Sequence, residues 1–180
     1  LELKIKSNAI IRSNTTIVEV EAYNKFTLTK KRIVTIFNEE GISDQGTVVG
    51  YDENIKIKNL EARIYDEKGE EIKKFKKNDF EDVSAVSGGT LYSDSRLKYL
   101  DYTPIRYPYT VLFETEVEYQ STAFFPSWRP IEGFYVSTEH SEYKIINNSD
   151  VALKLKATNF EDYAIEKHSD YHFSAKHLRS

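Results

Sequence analysis

Hydrophobic and polar residues alternate along much of this chain with a period of two. The clearest runs are residues 18–22 and 113–119, where apolar, aromatic or threonine side chains alternate with glutamates or other residues. Successive side chains of a β-strand point to opposite faces, so each run predicts a strand with one face in a core and one in water. Residues 151–157 alternate in the same way, with Leu153 and Leu155 interleaved with Lys154 and Lys156, and predict a further strand.

Turn-forming residues separate these runs. Residues 66–69 (DEKG) lie between two alternating stretches and predict a hairpin, because glycine accepts a positive φ. Between Ile57 and Leu60 the apolar parity slips by one residue, which predicts a β-bulge near Lys58. Helical periodicity is absent apart from residues 79–86, which have room for one or two turns. We therefore predict an all-β, antiparallel β-sandwich with long aromatic-rich loops and at most one or two short helices.

Composition agrees with a folded chain of one domain. The 180 residues include ten Phe, thirteen Tyr and one Trp against seven Gly and four Pro. That many aromatic residues exclude a disordered chain, and no linker interrupts the pattern, so we predict one domain over residues 1–180. The net charge of −4 makes nucleic acid a poor partner. Apolar runs are too short for a membrane-spanning helix.

Candidate metal ligands are few, and their spacing does not favour a site. Glu114, Glu116 and Glu118 share one strand face, which predicts a solvent-facing acidic stripe paired with lysines of a neighbouring strand. A cation site would need further ligands from other strands. His168 and His172 fall in an alternating stretch, and an extended strand would separate them by about 13 Å, too far to share Zn²⁺. We predict surface histidines, and no metal or other cofactor.

Catalytic motifs are also missing. The chain contains no Cys, which removes thiol nucleophiles, disulfides and thiolate metal ligands. Neither a G-x-S-x-G elbow, an H-E-x-x-H helix nor a P-loop spacing occurs. Acidic residues are so numerous that a glycosidase-like pair of carboxylates remains an alternative at the level of the sequence. The weight of these observations predicts no catalytic activity within this chain.

Aromatic residues concentrate in the middle of the chain, and they have two interpretations. In the first interpretation, they stack on sugar rings or bind a peptide. In the second, they close the ends of the sandwich while prolines fix the bends. Arginines accompany them at two places. The candidate interaction surface comprises Tyr92, Arg96, Tyr99, Tyr102, Tyr107, Tyr109, Trp128 and Arg129.

Five short stretches, in order along the chain, carry a family resemblance. They are residues 8–12 (NAIIR), 82–88 (DVSAVSG), 91–101 (LYSDSRLKYLD), 107–111 (YPYTV) and 125–130 (FPSWRP). Together they resemble the bacterial domain of unknown function found N-terminal to transglutaminase-like domains, which carry a papain-like Cys-His-Asp triad, in exported proteins. The likeness covers nearly the whole chain.

The resemblance implies a β-sandwich module, export to the periplasm or cell surface, and a transglutaminase-like domain farther along the polypeptide. No part of that catalytic motif lies in these residues, so no catalytic residue is carried over. We therefore expect a non-catalytic N-terminal accessory and positioning domain, with the downstream catalytic domain as its partner. The alternative is a stand-alone β-sandwich that binds glycan or peptide. The resemblance leaves open whether the domain ends at Ser180.

Overall fold

Strands account for most of the fold. The computed structural model of the chain describes residues 2–4, 6–85 and 94–179. The strands are β1 (Ala9–Ala22), β2 (Lys25–Ile36), β3 (Val48–Tyr51), β4 (Ile55–Tyr65), β5 (Glu71–Lys76), β6 (Glu81–Ser84), β7 (Arg96–Tyr99), β8 (Tyr109–Tyr119), β9 (Val136–Asn147), β10 (Ile165–Ser169) and β11 (His172–Leu178). Short 3-10 helices occupy Glu2–Lys4, Glu39–Gln45 and Lys77–Asp79. The all-β prediction is confirmed, and no described helix is long and apolar enough to cross a membrane.

Two sheets form a sandwich-like arrangement. The large sheet has eight strands in the order β10-β11-β9-β1-β2-β8-β4-β5, and the small sheet has the order β3-β7-β6. Neighbouring strands are antiparallel except β1 and β9, which run parallel. The large sheet is therefore mixed, where the sequence predicted only antiparallel pairs. The long connection of residues 120–135 carries the chain back to the start of β1, as a parallel neighbour requires.

β-bulges keep the apolar side chains of the long strands on one face. The register shifts between Ile57 and Asn59 in β4, which confirms the predicted bulge. A second shift in β1 follows Ile11, which pairs with Val34; beyond it Val18 pairs with Leu28. Each extra residue reverses the alternation of the side chains, so the apolar side chains of both halves of β1 point to the same face of the sheet.

Two hydrophobic clusters lie on this inner face. In the first, Val34 and Phe113 of the large sheet pack with Val49, Phe80 and Leu100, so that the small sheet and its flanking residues cover this half. The second is centred on Val18, Val20, Phe26 and Tyr143. Irregular segments contribute Phe125, Trp128 and Leu153 to its cover. The second cluster is therefore closed by loops instead of a strand layer.

The outer face of the large sheet is polar. Lys31 Nζ lies 2.9 Å from Glu114 Oε1, and Lys25 and Lys58 lie 3.3 and 3.5 Å from the Glu118 carboxylate. The contact with Lys25 holds the pKa of Glu118 below its usual range. These cross-strand pairs confirm the predicted acidic stripe with its lysine partners. Exposed pairs of this kind contribute little to stability.

One local prediction from the sequence was wrong. Residues 151–158 form no strand, although they alternate, because strand formation also needs a neighbour to pair with. At residues 79–86, where the sequence has room for at most one or two helical turns, the 3-10 turn Lys77–Asp79 ends and β6 follows. Phe80, which lies between this turn and β6, is buried in the first cluster.

The histidines are closer together than predicted. His168 and His172 lie on β10 and β11, and a tight turn over residues 169–171 brings their ring centroids to 4.5 Å. His168 Nε2 lies 2.7 Å from Ser174 Oγ, and His172 Nε2 lies 2.7 Å from Glu142 Oε1. The 13 Å estimate assumed one continuous strand. Among the described residues no group of three or more His, Asp or Glu side chains is arranged to hold a metal ion.

Candidate functional site

The predicted interaction surface divides into two separate groups in the structure. Tyr92 lies outside the described residues. Arg96 and Tyr99 lie on β7 of the small sheet, and Tyr102 and Tyr107 pack against the first cluster beneath that sheet. Trp128 and Arg129, by contrast, belong to the connection that covers the second cluster. The eight residues therefore do not form one continuous site.

Tyr109 is part of the core and cannot belong to a binding surface. Its side chain is 1% exposed, and the rings of Tyr102 and Tyr107 each lie 5.7 Å from its own. Gln45 Nε2 donates a 2.6 Å hydrogen bond to the Tyr109 hydroxyl. Burial raises the pKa of Tyr109 to about 12. These three tyrosines close one end of the first cluster, as in the second interpretation of the aromatic residues.

Arg96 is engaged within the small sheet. Its Nε donates to Asp82 Oδ1 at 2.8 Å and to the Tyr51 hydroxyl at 3.1 Å. Tyr51 and Lys98 also contact the Asp82 carboxylate, at 2.7 and 3.1 Å. The hydrogen bond from Tyr51, together with the two cations, lowers the pKa of Asp82 to about 2. This cluster ties β3, β6 and β7 together, which is a structural task.

Trp128 and Arg129 lie at a groove of about 720 Å³, which we call the aromatic groove. One wall is the segment of residues 125–129, the floor comes from β9 and β11, and the other wall is the segment of residues 153–160. Its aromatic residues are Phe125, Trp128, Tyr143, Phe160, Tyr171 and Phe173. This volume lies within the usual range of ligand-binding pockets, about 300–1,000 Å³.

Trp128 is held firmly against the floor and the other wall of the groove. Its ring stacks on Tyr143 with 6.4 Å between centroids and 25° between planes, and its edge meets Phe160 at 5.9 Å. The indole Nε1 donates a 2.9 Å hydrogen bond to Ser141 Oγ. Phe125 continues the wall and packs 4.9 Å from Phe26. The groove is therefore formed by side chains that already have their partners, which favours a preformed site.

Tyr143 anchors the floor of the groove. Its hydroxyl donates a 2.9 Å hydrogen bond to the backbone oxygen of Pro126, which fixes the aromatic wall against β9. Burial raises the pKa of Tyr143 to about 12, so the hydroxyl stays protonated and remains a donor at neutral pH. Phe173 pairs with Tyr143 across β11 and β9 and completes the floor.

The rim of the groove is cationic. Arg129, Lys154 and Lys156 line it, are exposed, and have no carboxylate within salt-bridge distance in the part of the chain that the structure describes. The described residues that line the groove include no Asp, Glu or His. Apolar rings below and positive charges above match a ligand that carries both apolar groups and negative charge.

Sequence reasoning identified one wall of this groove and missed the rest. Trp128 and Arg129 were predicted, but Tyr143, Phe160 and Phe173 were not. These residues are 15 to 45 positions farther along the chain and meet Trp128 only through strand pairing and loop packing. The alternation of leucine and lysine at residues 153–156 is visible in the sequence, but it predicts a strand of the sandwich and not a groove wall.

Solved structures share this fold. The crystal structure of a "putative protease" from Parabacteroides distasonis aligns with 96% of the chain at a TM-score of 0.69 and 12% sequence identity; the chain spans 36% of the length of that protein. At this identity the similarity shows the fold alone. Yeast LTA4 hydrolase in complex with bestatin aligns with 96% of the chain and 27% of its own length, at 8% identity and a TM-score of 0.37, which is too low to indicate a common fold.

Sequence comparison gives the family. A search of curated proteins finds no match to this chain. Residues 22–180, which include ten of the eleven strands of the described structure in full, match the Domain of Unknown Function DUF3857. This match confirms one part of the resemblance noted from the five short stretches, namely that the chain is a domain of unknown function. The chain belongs to the DUF3857 family.

Proposed function

We propose that this chain is a non-catalytic accessory domain that positions a substrate for a transglutaminase-like catalytic domain in the same exported polypeptide. The observation that carries the proposal is the composition of the aromatic groove, which offers binding groups without acid–base groups. The sequence resemblance supplies the catalytic partner.

The groove is poorly equipped for catalysis by its own side chains. General acid–base and nucleophilic catalysis need a group that titrates near the working pH, or a nucleophile with a base beside it. The titratable side chains that line the groove are tyrosines, lysines and an arginine. Tyr143, with a pKa raised to about 12, is a weak acid there. Ser127 and Thr158 are hydroxyls with no imidazole or carboxylate among the other described lining residues. These features support binding over turnover.

Deletion within the full polypeptide tests the positioning role. The complete protein and a form that lacks residues 1–180 are assayed on a macromolecular substrate and on a small chromogenic one. We expect the deletion to lower kcat/KM for the macromolecule about tenfold, equivalent to about 1.4 kcal/mol of lost substrate binding. Turnover of the small substrate should be nearly unchanged and shows that the catalytic domain is folded. Equal kcat/KM values for the macromolecule with and without the domain exclude this role.

A stand-alone binding module is the second candidate, and the aromatic groove favours it. Calorimetry of the isolated chain with envelope glycans and peptides, combined with the deletion experiment, separates the two functions. Binding by the wild type that the Trp128→Ala variant loses, together with equal kcat/KM values for the macromolecule with and without the domain, supports an autonomous module. The matched control is Tyr23→Ala, which changes an exposed aromatic side chain in the β1–β2 turn.

Export to the periplasm or the cell surface belongs to the same proposal. The absence of Cys is compatible with any redox compartment, so the support comes from the resemblance alone. Fractionation of the native bacterium with an antibody against this chain gives the test. Recovery of the protein from the cytoplasmic fraction excludes export.

A further inference from the structure

Residues 151–158 have the alternating sequence of a β-strand but pair with no strand in the described structure. The backbone N–H groups of residues 152–159 donate no hydrogen bond to any described residue. The start of the segment is held by Asn147 Nδ2, which donates to the Val151 backbone oxygen at 2.8 Å, and farther along the Tyr171 hydroxyl donates to the Leu153 backbone oxygen at 3.3 Å. A strand with unpaired main-chain groups is a template for pairing with another extended chain.

The segment also has space on either side. On one side it forms a wall of the aromatic groove, and on the other it borders a smaller groove of about 440 Å³ next to β10 and β11. Leu153, Leu155 and Phe160 line both grooves. Leu155 remains 41% exposed, which is high for a leucine in an otherwise apolar setting. An added chain would cover these side chains while it pairs with the backbone.

The charges beside the segment indicate which kind of chain would pair with it. Lys154 and Lys156 alternate with the leucines, and Arg129 lines the same groove. Opposite charges at facing positions of paired strands attract, and lysine or arginine with carboxylate forms the stronger class of hydrogen bond. The aromatic groove contributes no carboxylate of its own among its described lining residues. The complementary chain is therefore acidic and carries apolar side chains.

We propose, building on the binding role suggested for the aromatic groove, that residues 152–158 accept an extended acidic polypeptide segment as an added β-strand. Its apolar side chains enter the aromatic groove, and its carboxylates face Lys154, Lys156 and Arg129. A polypeptide fits better than an anionic glycan, because only a peptide backbone repeats donors and acceptors at strand spacing. Seven residues at about 3.3 Å each span roughly 23 Å, so a peptide of about ten residues covers the site.

Trp128, the one tryptophan of the chain, reports on binding by its fluorescence. The probe is a ten-residue peptide of alternating valine and glutamate, titrated into the isolated wild-type chain. Two further peptides carry N-methyl groups on the odd or on the even residues, which removes the hydrogen-bond donors of one strand edge at a time. A fourth peptide has lysine in place of glutamate, and polygalacturonate serves as a non-peptide polyanion.

We expect saturable binding of the glutamate peptide, and at least tenfold weaker binding of the lysine peptide and of one N-methylated peptide. If both N-methylated peptides, or polygalacturonate, bind as tightly as the unmethylated glutamate peptide, charge alone is recognised and strand addition is overturned. No response to the glutamate peptide, with binding also absent in calorimetry, overturns the proposal as well. The deletion experiment on the full polypeptide is independent of this outcome, so the two failures are distinguishable.

Charge-reversed variants locate the site. Lys154→Glu together with Lys156→Glu should weaken binding of the glutamate peptide at least tenfold. The matched control reverses Lys56 and Lys68, which lie on β4 and in the β4–β5 turn, away from the groove, and gives the same change in net charge. Far-UV circular dichroism shows that each variant is folded. Equal loss of binding in the two double variants contradicts a site at residues 152–158.

Discussion

At the scale of single residues, one arginine organises the boundary between the two hydrophobic clusters. Arg32 is 1% exposed, and its Nη1 lies 2.7 Å from each carboxylate oxygen of Glu132. Its Nη2 donates to the Asp44 backbone oxygen at 2.9 Å, and Asn14 Nδ2 donates to Glu132 at 2.9 Å. A buried charge needs this degree of pairing. Arg32 thereby links β2 to the 3-10 helix Glu39–Gln45 and to the connection of residues 120–135, which also contains the groove wall at residues 125–129.

The Glu132→Gln variant tests this anchor. It leaves the buried guanidinium without its counter-charge, and we expect the free energy of unfolding to fall by about 2–3 kcal/mol. This value lies below the roughly 3–5 kcal/mol usual for a broken buried ion pair, because the Glu132 side chain is 31% exposed and water partly replaces it. Urea unfolding measures the change. Glu139→Gln, which removes an exposed pair with Arg12, is the control and should change stability by less than about 0.5 kcal/mol. Equal effects of the two changes would disprove the anchoring role.

Gly46 provides a second test at the same place. It has a φ of 66°, and a Cβ there would lie 2.7 Å from Arg32 Nε. Gly69 has a φ of 84° with no neighbour within 4 Å of an added Cβ, so it isolates the backbone cost, about 1–2 kcal/mol. Gly46→Ala should therefore destabilise the protein more than Gly69→Ala, as measured by the shift of the urea midpoint. Identical shifts would mean that Arg32 moves aside freely.

At the scale of elements, the small sheet is held together by polar contacts as well as by its apolar face. β6 is exposed throughout its length and pairs with β7, and β7 pairs with β3. The Asp82 carboxylate on β6 accepts a hydrogen bond from the Tyr51 hydroxyl on β3 and forms ion pairs with Arg96 and Lys98 on β7. One carboxylate therefore connects all three strands. The segment 151–158 is the opposite case, because it has a strand sequence and no partner strand among the described residues.

The pKa of Asp82 predicts a pH dependence of stability. Its folded pKa of about 2 lies below the ordinary 3.8, so ionised Asp82 stabilises the fold above pH 4, and this contribution is lost as the pH falls from about 4 to 2. We expect wild type to be more stable than Asp82→Asn at pH 6, with the difference shrinking across this window. Thermal unfolding of both proteins at several pH values gives the comparison. A constant difference from pH 6 to pH 2 would contradict the depressed pKa.

At the scale of the whole molecule, one sheet lies beneath both hydrophobic clusters. β2 carries Val34 and Ile36 in the first cluster, and Phe26 and Leu28 in or against the second. β8 pairs with β2 along nearly its whole length, and β4 pairs with β8 in turn. Loss of pairing in one half therefore weakens the other half through the same strands.

This continuity predicts coincident unfolding of the two halves. Trp128 fluorescence reports on the second cluster, and hydrogen exchange of β3 and β7, followed by mass spectrometry, reports on the small sheet over the first. Both probes should give the same urea midpoint, as in a two-state transition. A lower midpoint for Trp128 alone would show that the loop-covered half unfolds independently, against a single domain over residues 1–180.

Prediction from sequence succeeded where neighbours along the chain decide the structure. The β4–β5 hairpin and the bulge near Lys58 follow from local turn chemistry and side-chain parity, and both are present. The parallel pairing of β1 with β9 was not predicted, because its partners are more than a hundred residues apart. The aromatic groove was half predicted for the same reason: Trp128 stands out in the sequence, whereas Tyr143 and Phe173 are ordinary core-like residues until the strands pair.

The amino-acid sequence by itself determined that the protein is built of strands, where several turns fall, that its glutamate stripe faces water, and that it belongs among domains of unknown function. Alternation and turn chemistry are local properties, so they are readable residue by residue. Tertiary structure alone decided which aromatic residues are core and which line a groove, which carboxylate neutralises Arg32, and which alternating segment stays unpaired. Each of these depends on contacts between distant parts of the chain, and alternation carries no information about the partner.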